Sequence, residues 1–297
     1  MGLSIYNLKR WFLMLTGKSI YHVEQGLGKA IDKGGYYNDM TQKVLMGDAN
    51  LDADGIPFLV HSDGSHVQMP TMIFQYGLGA YDLWLMEGKQ VYLDKAIRCG
   101  QWAMQNQKQD GSWDTFSYYY PDYPYSAMPQ GEGISLFLRL YQQLDNEQYL
   151  YAAKRAADFM LKDVEVGGVT VYKKDGLILK EYVHKPVVLN GWIFASWGLY
   201  DLSRYYQDYK HSFDQTICTM LSVLDQYDNG YWSLYDEAGL ITSPFYHKLH
   251  IAQMEALYMM TGNAVFDEYA KMWKKYQKSF IRSKLAFIQK AVQKIKE

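Results

Sequence analysis

Cysteine, proline, net charge and long apolar runs are all scarce in this 297-residue chain, and each shortage removes a class of protein. Cys99 and Cys218, the two cysteines, both stand in apolar helical patterns. They read as buried free thiols in a reducing compartment rather than as a disulfide framework. The apolar run at Trp11–Leu15 is shorter than a signal-peptide core and is followed by no small-residue cleavage site. No segment approaches the ~20 apolar residues of a membrane span. The chain therefore reads as soluble and cytoplasmic. A net charge of −2 supplies no field to capture a polyanion, which argues against nonspecific nucleic-acid binding. No phosphate loop or dinucleotide fingerprint occurs; GLGKAIDKGG at 26–35 neither follows a clear strand nor carries the required Lys-Ser/Thr, and reads as a plain loop.

What the chain has is aromatic rings: 28 Tyr, 12 Phe and 8 Trp, with 48% of all residues hydrophobic. A substantial core is affordable, and disorder is excluded. Such a tyrosine content suits either sugar-stacking surfaces or large side chains packing between helices.

A pattern of small residue, Leu and Tyr on one helical face recurs in MIFQYGLGAYDLWL, EGISLFLRLYQQL, IFASWGLYDLSRYY and IAQMEALYMMTG. Tyr81, Tyr141, Tyr200 and Tyr258 close these motifs at spacings of 60, 59 and 58 residues. The first three motifs run through a polar turn and a second helical stretch into a Gly-rich turn with an aromatic: DGSWDTF, GGVTVY, NGYWSLYDE. Asp-Gly and Asn-Gly nucleate tight turns, and the alternation after them suggests short hairpins. A period of two helices and a β-turn is that of an all-α toroid. We expect an incomplete (α/α) barrel of about four helical hairpins in a single domain spanning 1–297. Residues 1–70 would be an N-terminal helix and irregular arm on the body, 71–280 the hairpins, and 281–297 a terminal helix. The basic, apolar start and Ile281–Lys296 fit either a membrane surface or the body itself.

In a toroid, polar residues at the starts of inner helices face the cleft. Three stretches place them there: 118–133 with Tyr125 and Gln130, 179–192 with Lys185 and Asn190, and 233–253 with Tyr246, His247 and His250. These residues are the candidate substrate contacts. Asn190 and Gln130 suit helix caps as well as sugar hydroxyls, and Trp113 and Trp232 suit turn packing as well as ring stacking. His247 and His250 with Glu255 lack the His-Glu-x-x-His order and an obvious third ligand, so no metal is assigned.

The same stretches resemble the C-terminal catalytic domain of heparosan-type D-glucuronyl C5-epimerases. YSAMPQGEGIS (125–135) is similar to the family's YSAMxQGxxIS, and the segment from Glu181 to LNGWIFASWGLYDL is similar to EY…P…VLNG…GLYDL. SLYDE (233–237), FYHKLHIAQMEAL (245–257), GIP (55–57) and MPTMIFQYGL (69–78) also have counterparts, in the family's order. The animal enzymes carry a β-rich domain between the QYGL block and the helix before DGSW; here the two join directly, giving a compact version. The resemblance implies inversion of C5 of D-glucuronate to L-iduronate within a polysaccharide, without a cofactor, by a domain that could pair as a homodimer. It places the acid/base and neighbouring roles on Glu181, Tyr182, Tyr235 and Tyr246. Proton removal α to a carboxylate needs acid/base groups on both faces of the sugar. A neutral Tyr246 suits the return of the proton, with Glu181 or Tyr182 abstracting. A polysaccharide lyase, which shares the carbanion, a glycoside hydrolase, which needs two carboxylates, and a noncatalytic glycan-binding protein are the rival readings.

Overall fold

Each repeated motif becomes the inner helix of an antiparallel hairpin in the computed structural model, which describes residues 25–47, 50–61, 63–174 and 176–296. The basic, apolar start of the chain, with the helix expected there, lies outside the described residues. A short helix α1 (Thr41–Gly47) and an antiparallel pair, β1 (Leu59–Val60) and β2 (His66–Val67), precede the hairpins. These are α2 (Pro70–Glu87) with α3 (Gln90–Asn106), and α4 (Ala127–Leu144) with α5 (Glu147–Met160). Then follow α6 (Leu189–Ser203) with α7 (Asp208–Val223), and α8 (Pro244–Thr261) with α9 (Ala264–Lys278). A last helix, α10 (Phe280–Lys296), packs on α9.

Inner and outer helices differ as their sequences require. On α3 only Leu93, Ala96, Cys99, Gly100 and Ala103 are buried, a single stripe at three- and four-residue spacing. On α6 nearly every side chain from Leu189 to Leu202 is buried, because α4, α7 and α8 surround it. Local chemistry sets the ends. Pro70 and Pro244 occupy first-turn positions, Ser243 accepts from the Tyr246 N–H, and Gly88 and Gly262 close helices at φ 70° and 67°. The inner helices pack in chain order, α2 on α4, α4 on α6, α6 on α8. All four run the same way, so their N-terminal ends gather at one end of an incomplete toroid. The fourth repeat tyrosine, Tyr258, is exposed, since α8 is last in this row.

Three sequence expectations are corrected. The arm does not merely lie on the body: Tyr36, Tyr37, Asn38 and Met40 are buried, and Tyr36 stacks on Phe194 and meets Trp197 edge-on. Arg139 of α4 ties this plug to Asp201 of α6 at 2.7 Å and donates to the Gly35 carbonyl at 2.8 Å; Asp82 of α2 accepts from the Tyr36 N–H. These residues sit toward the C-terminal ends of the inner helices, closing the toroid opposite the gathered N-termini. The DGSW turn carries no strands, whereas GGVTVY opens an antiparallel pair, β3 (Thr170–Lys173) with β4 (Gly176–Leu179). Finally, Cys218 is exposed on the outer face of α7, while Cys99 is buried; both are free.

Candidate active site

The gathered N-termini enclose a cavity of about 390 Å³. Thr71, Met72 and Gln75 of α2, Ser126 and Met128 at α4, Asn190 and Phe194 of α6, and Tyr246 and Leu249 of α8 line it. The arm adds Lys43, Pro57 and Phe58, and the 116–120 loop adds Phe116, Tyr119 and Tyr120. Four helix N-termini present their positive dipole ends to this space, which favours an anionic ligand.

Glu181 follows β4 and packs against the first turn of α6. A Cβ on Gly191 would stand only 2.2 Å from Glu181 Oε2, so glycine is what lets the carboxylate lie there. Burial raises its pKa to about 7, against a hydrogen bond from Tyr182 and the charge of Lys185, which both lower it. Tyr182 stacks on Phe116 at 4.7 Å, and the Lys185 ammonium sits 4.6 Å from its ring centre. Burial, and then the negative charge of Glu181, hold the Tyr182 pKa well above its ordinary value; the same two causes act on Tyr235. Tyr235 and Tyr246 meet edge to face at 5.1 Å. Tyr246 bears electrostatically on both Tyr182 and Tyr235, so the four residues form one cluster.

The remaining sequence candidates divide. Asn190 lines the cavity, its side-chain oxygen buried without a protein partner, as are Ser126 Oγ and Glu181 Oε2. Three orphaned buried oxygens on one cavity wall suit a hydroxyl-rich ligand. Lys185 reaches Tyr120, donating to its hydroxyl at 2.5 Å. The structure takes the others away from the cavity. Trp113 is a core residue, donating to the Ala103 carbonyl and packed on Phe74. Gln130 donates to the Gly111 carbonyl, and the Tyr125 hydroxyl accepts from Lys108. His247 lies flat against Trp232 at 3.7 Å, with Nδ1 on Ser233 and Nε2 on the Trp273 carbonyl. His250 shares Ser233 from one helical turn on. Burial lowers both imidazoles to about 3, so they are neutral wedges between α8, α9 and the 232–233 turn. Among the described residues no three His, Cys, Asp or Glu side chains group as metal ligands.

Sequence reasoning did not bring together a second polar set, although Glu132 lies in the YSAMPQGEGIS block. Gln75 donates to Glu132 at 2.7 Å, and Glu132, fully buried, has its pKa raised to about 8 by burial. Lys43 in α1 acts electrostatically on Glu132, and burial lowers its pKa to about 8. Gln75 belongs to a block quoted above, QYGL, but Lys43 sits in the arm without any periodicity to mark it.

Comparison with known proteins gives the chain's relatives and its family. A D-glucuronyl C5-epimerase of Caenorhabditis elegans is 26% identical over 203 residues, 58% of this chain and 33% of that protein. An uncharacterized protein of Methanocaldococcus jannaschii is 30% identical over 156 residues, 50% of this chain and 51% of that one. These matches thus span a third to a half of the relatives' length. The Lin0763 protein from Listeria innocua shares the fold with a TM-score of 0.56 at 14% identity, over 87% of this chain and 78% of its own. Cellobiose 2-epimerase from Spirochaeta thermophila does so at 0.53 and 11%, over 79% and 65%. Residues 124–275, which carry Glu181, Tyr182, Tyr235 and Tyr246, match the D-glucuronyl C5-epimerase C-terminus family, and the chain belongs to it.

Proposed function

We propose that this protein inverts C5 of D-glucuronate to L-iduronate within a heparosan-like polysaccharide, by proton abstraction and reprotonation. The observation that carries this reading is that Glu181, Tyr182 and Tyr246 line one cavity with Tyr235 packed behind Tyr246, a carboxylate tuned to about 7 beside the protonated phenols of Tyr182 and Tyr235. A base works best when its pKa lies near the working pH. Glu181 meets that condition, whereas Tyr182, raised by the neighbouring carboxylate, does not. Tyr182 is therefore a hydrogen-bond donor that orients Glu181.

In this mechanism the Glu181 carboxylate takes the C5 proton and the C–H electron pair spreads into the uronate carboxyl group. Lys43 and the four helix N-termini offset the added charge there. The Tyr246 hydroxyl then gives its proton to the other face of C5, with Tyr235 against its ring. The resulting Tyr246 phenolate recovers a proton as Glu181 releases its own, so the cycle consumes nothing. Ser126 and Asn190 accept hydrogen bonds from sugar hydroxyls.

Incubation with unsulfated heparosan in D₂O, followed by NMR of the uronate and an absorbance scan, tests the reading. Deuterium at C5 with iduronate signals and constant ultraviolet absorbance is expected. A rising ultraviolet signal would mean that the carbanion expels the C4 substituent, making the enzyme a lyase. No exchange on any uronate polymer would remove the proposal.

A further inference from the structure

α10 shows its apolar side to solvent, the reverse of the other hairpin helices. Ile281, Leu285, Ile288 and Val292 are 78%, 47%, 59% and 44% exposed. At 3.6 residues per turn they fall within an arc of about 60°. The helix faces the body with Ala286 and Lys290, on its far side. Over its 17 residues it carries five basic side chains and no acidic one, although the whole chain has a net charge of −2. Lys284 borders the apolar stripe and is exposed.

A solvent-facing apolar stripe would be a liability on a free surface. The apolar centre with basic margins is the pattern of a helix lying in a lipid headgroup layer. There apolar side chains enter the acyl boundary and lysines meet anionic headgroups. Charge complementarity selects among occupants: a second copy of this helix would set Lys284 at the stripe's edge against like charge, whereas an anionic membrane would neutralise it. We infer that α10 docks the protein on an anionic membrane surface through Ile281, Leu285, Ile288 and Val292.

The inner side of α10 gives this docking a consequence for the site. Gln293 accepts from the Ile241 N–H at 3.1 Å, Gln289 accepts from the Tyr231 hydroxyl, and the Lys290 ammonium stands 5.9 Å from the Tyr235 ring centre. The membrane-facing helix thus holds the loop that carries Tyr235, fixing the cavity's orientation to the lipid plane.

Sedimentation with phosphatidylcholine vesicles, with and without phosphatidylglycerol, tests the inference on the full chain. Binding only to the anionic vesicles, reversed by salt, is expected. Exchanging both Ile281 and Ile288 for Glu should reduce partitioning at least about tenfold, since apolar burial is lost. Lys284→Ala should reduce it roughly fivefold, from about 1 kcal/mol per basic residue near the surface. Both variants alter exposed side chains, so an unchanged melting temperature verifies their folding. Absence of binding to the anionic vesicles, or equal binding to the neutral ones, would overturn the proposal. So would a dimer in solution that the Ile281/Ile288 variant converts to monomer, which would assign the face to a second copy.

Discussion

Glu181 shows how a single carboxylate trades stability for reactivity. Its raised pKa means that the folded protein binds a proton more tightly than the unfolded chain. The side chain is therefore neutral without cost below the ordinary carboxylate range of ~4.3, and stability is lost as pH rises through about 7. Glu181→Gln should abolish most C5 exchange, by roughly 10²–10⁴-fold as expected for a lost general base. The same substitution should raise unfolding stability above pH 7, by up to roughly 3 kcal/mol; denaturant titrations at acidic and alkaline pH would measure the difference. Because the base must be ionised and Lys43 charged, kcat/KM should rise tenfold per pH unit below about 7 and fall again above about 8. A profile that falls with rising pH below about 7 would take the base role from Glu181. Tyr246→Phe keeps the ring against Tyr235 and Phe245 and removes the hydroxyl that returns the proton, so conversion to iduronate should drop far more than the melting temperature does.

At the scale of the elements, two glycines separate packing from positioning. Gly198 of α6 meets Gly131 of α4, where an added Cβ would stand 2.5 Å from the facing Cα; this close approach sets the spacing of two inner helices. Gly198→Ala must push backbone from backbone, and overpacking of that kind costs typically 1–3 kcal/mol. Gly191→Ala instead meets a side chain, Glu181 Oε2. The added Cβ would also stand 2.7 Å from Glu181 Cβ, so the substitution should cost less stability than Gly198→Ala while cutting exchange at least about tenfold by moving the base. Equal stability losses for both would show that the α6 N-terminus is a packing contact alone. The helical elements themselves were legible, because the repeat of Tyr81, Tyr141, Tyr200 and Tyr258 and the turns between follow from side-chain period and turn chemistry. The arm was not: Tyr36 and Met40 have no period, and only the toroid they plug makes them core residues.

For the molecule as a whole, buried titratable groups pull stability in opposite directions. Glu181, Glu132 and Asp82 have pKa values raised to about 7, 8 and 7, so each contributes stability that disappears as pH climbs from the ordinary carboxylate range through those values. His247 and His250 are lowered to about 3, so theirs is present above ~6.5 and disappears as pH falls through about 3. Between ~4.3 and ~6.5 the two sets oppose one another. Three carboxylates outweigh two imidazoles there, so melting temperature should peak at the acid edge of that window, dropping below it as imidazoles charge and above it as carboxylates ionise. A monotonic rise to pH 8 would show that the carboxylates are solvated rather than buried.

The chain by itself determined the helical repeat, the turns and the loops that bear Glu181, Tyr182, Tyr235 and Tyr246, since period, turn residues and contiguous motifs are properties of neighbours along the backbone. Which polar residues of those loops reach the cavity was decided by tertiary structure alone. His247 stands one residue from Tyr246, yet that step of about 100° turns it from the cavity to Trp232 and Ser233. Lys43, Gln75 and Glu132, far apart in the chain, become neighbours because α1, α2 and α4 pack together. Burial then set their ionisation, which depends on what surrounds a group in space rather than on what flanks it in sequence.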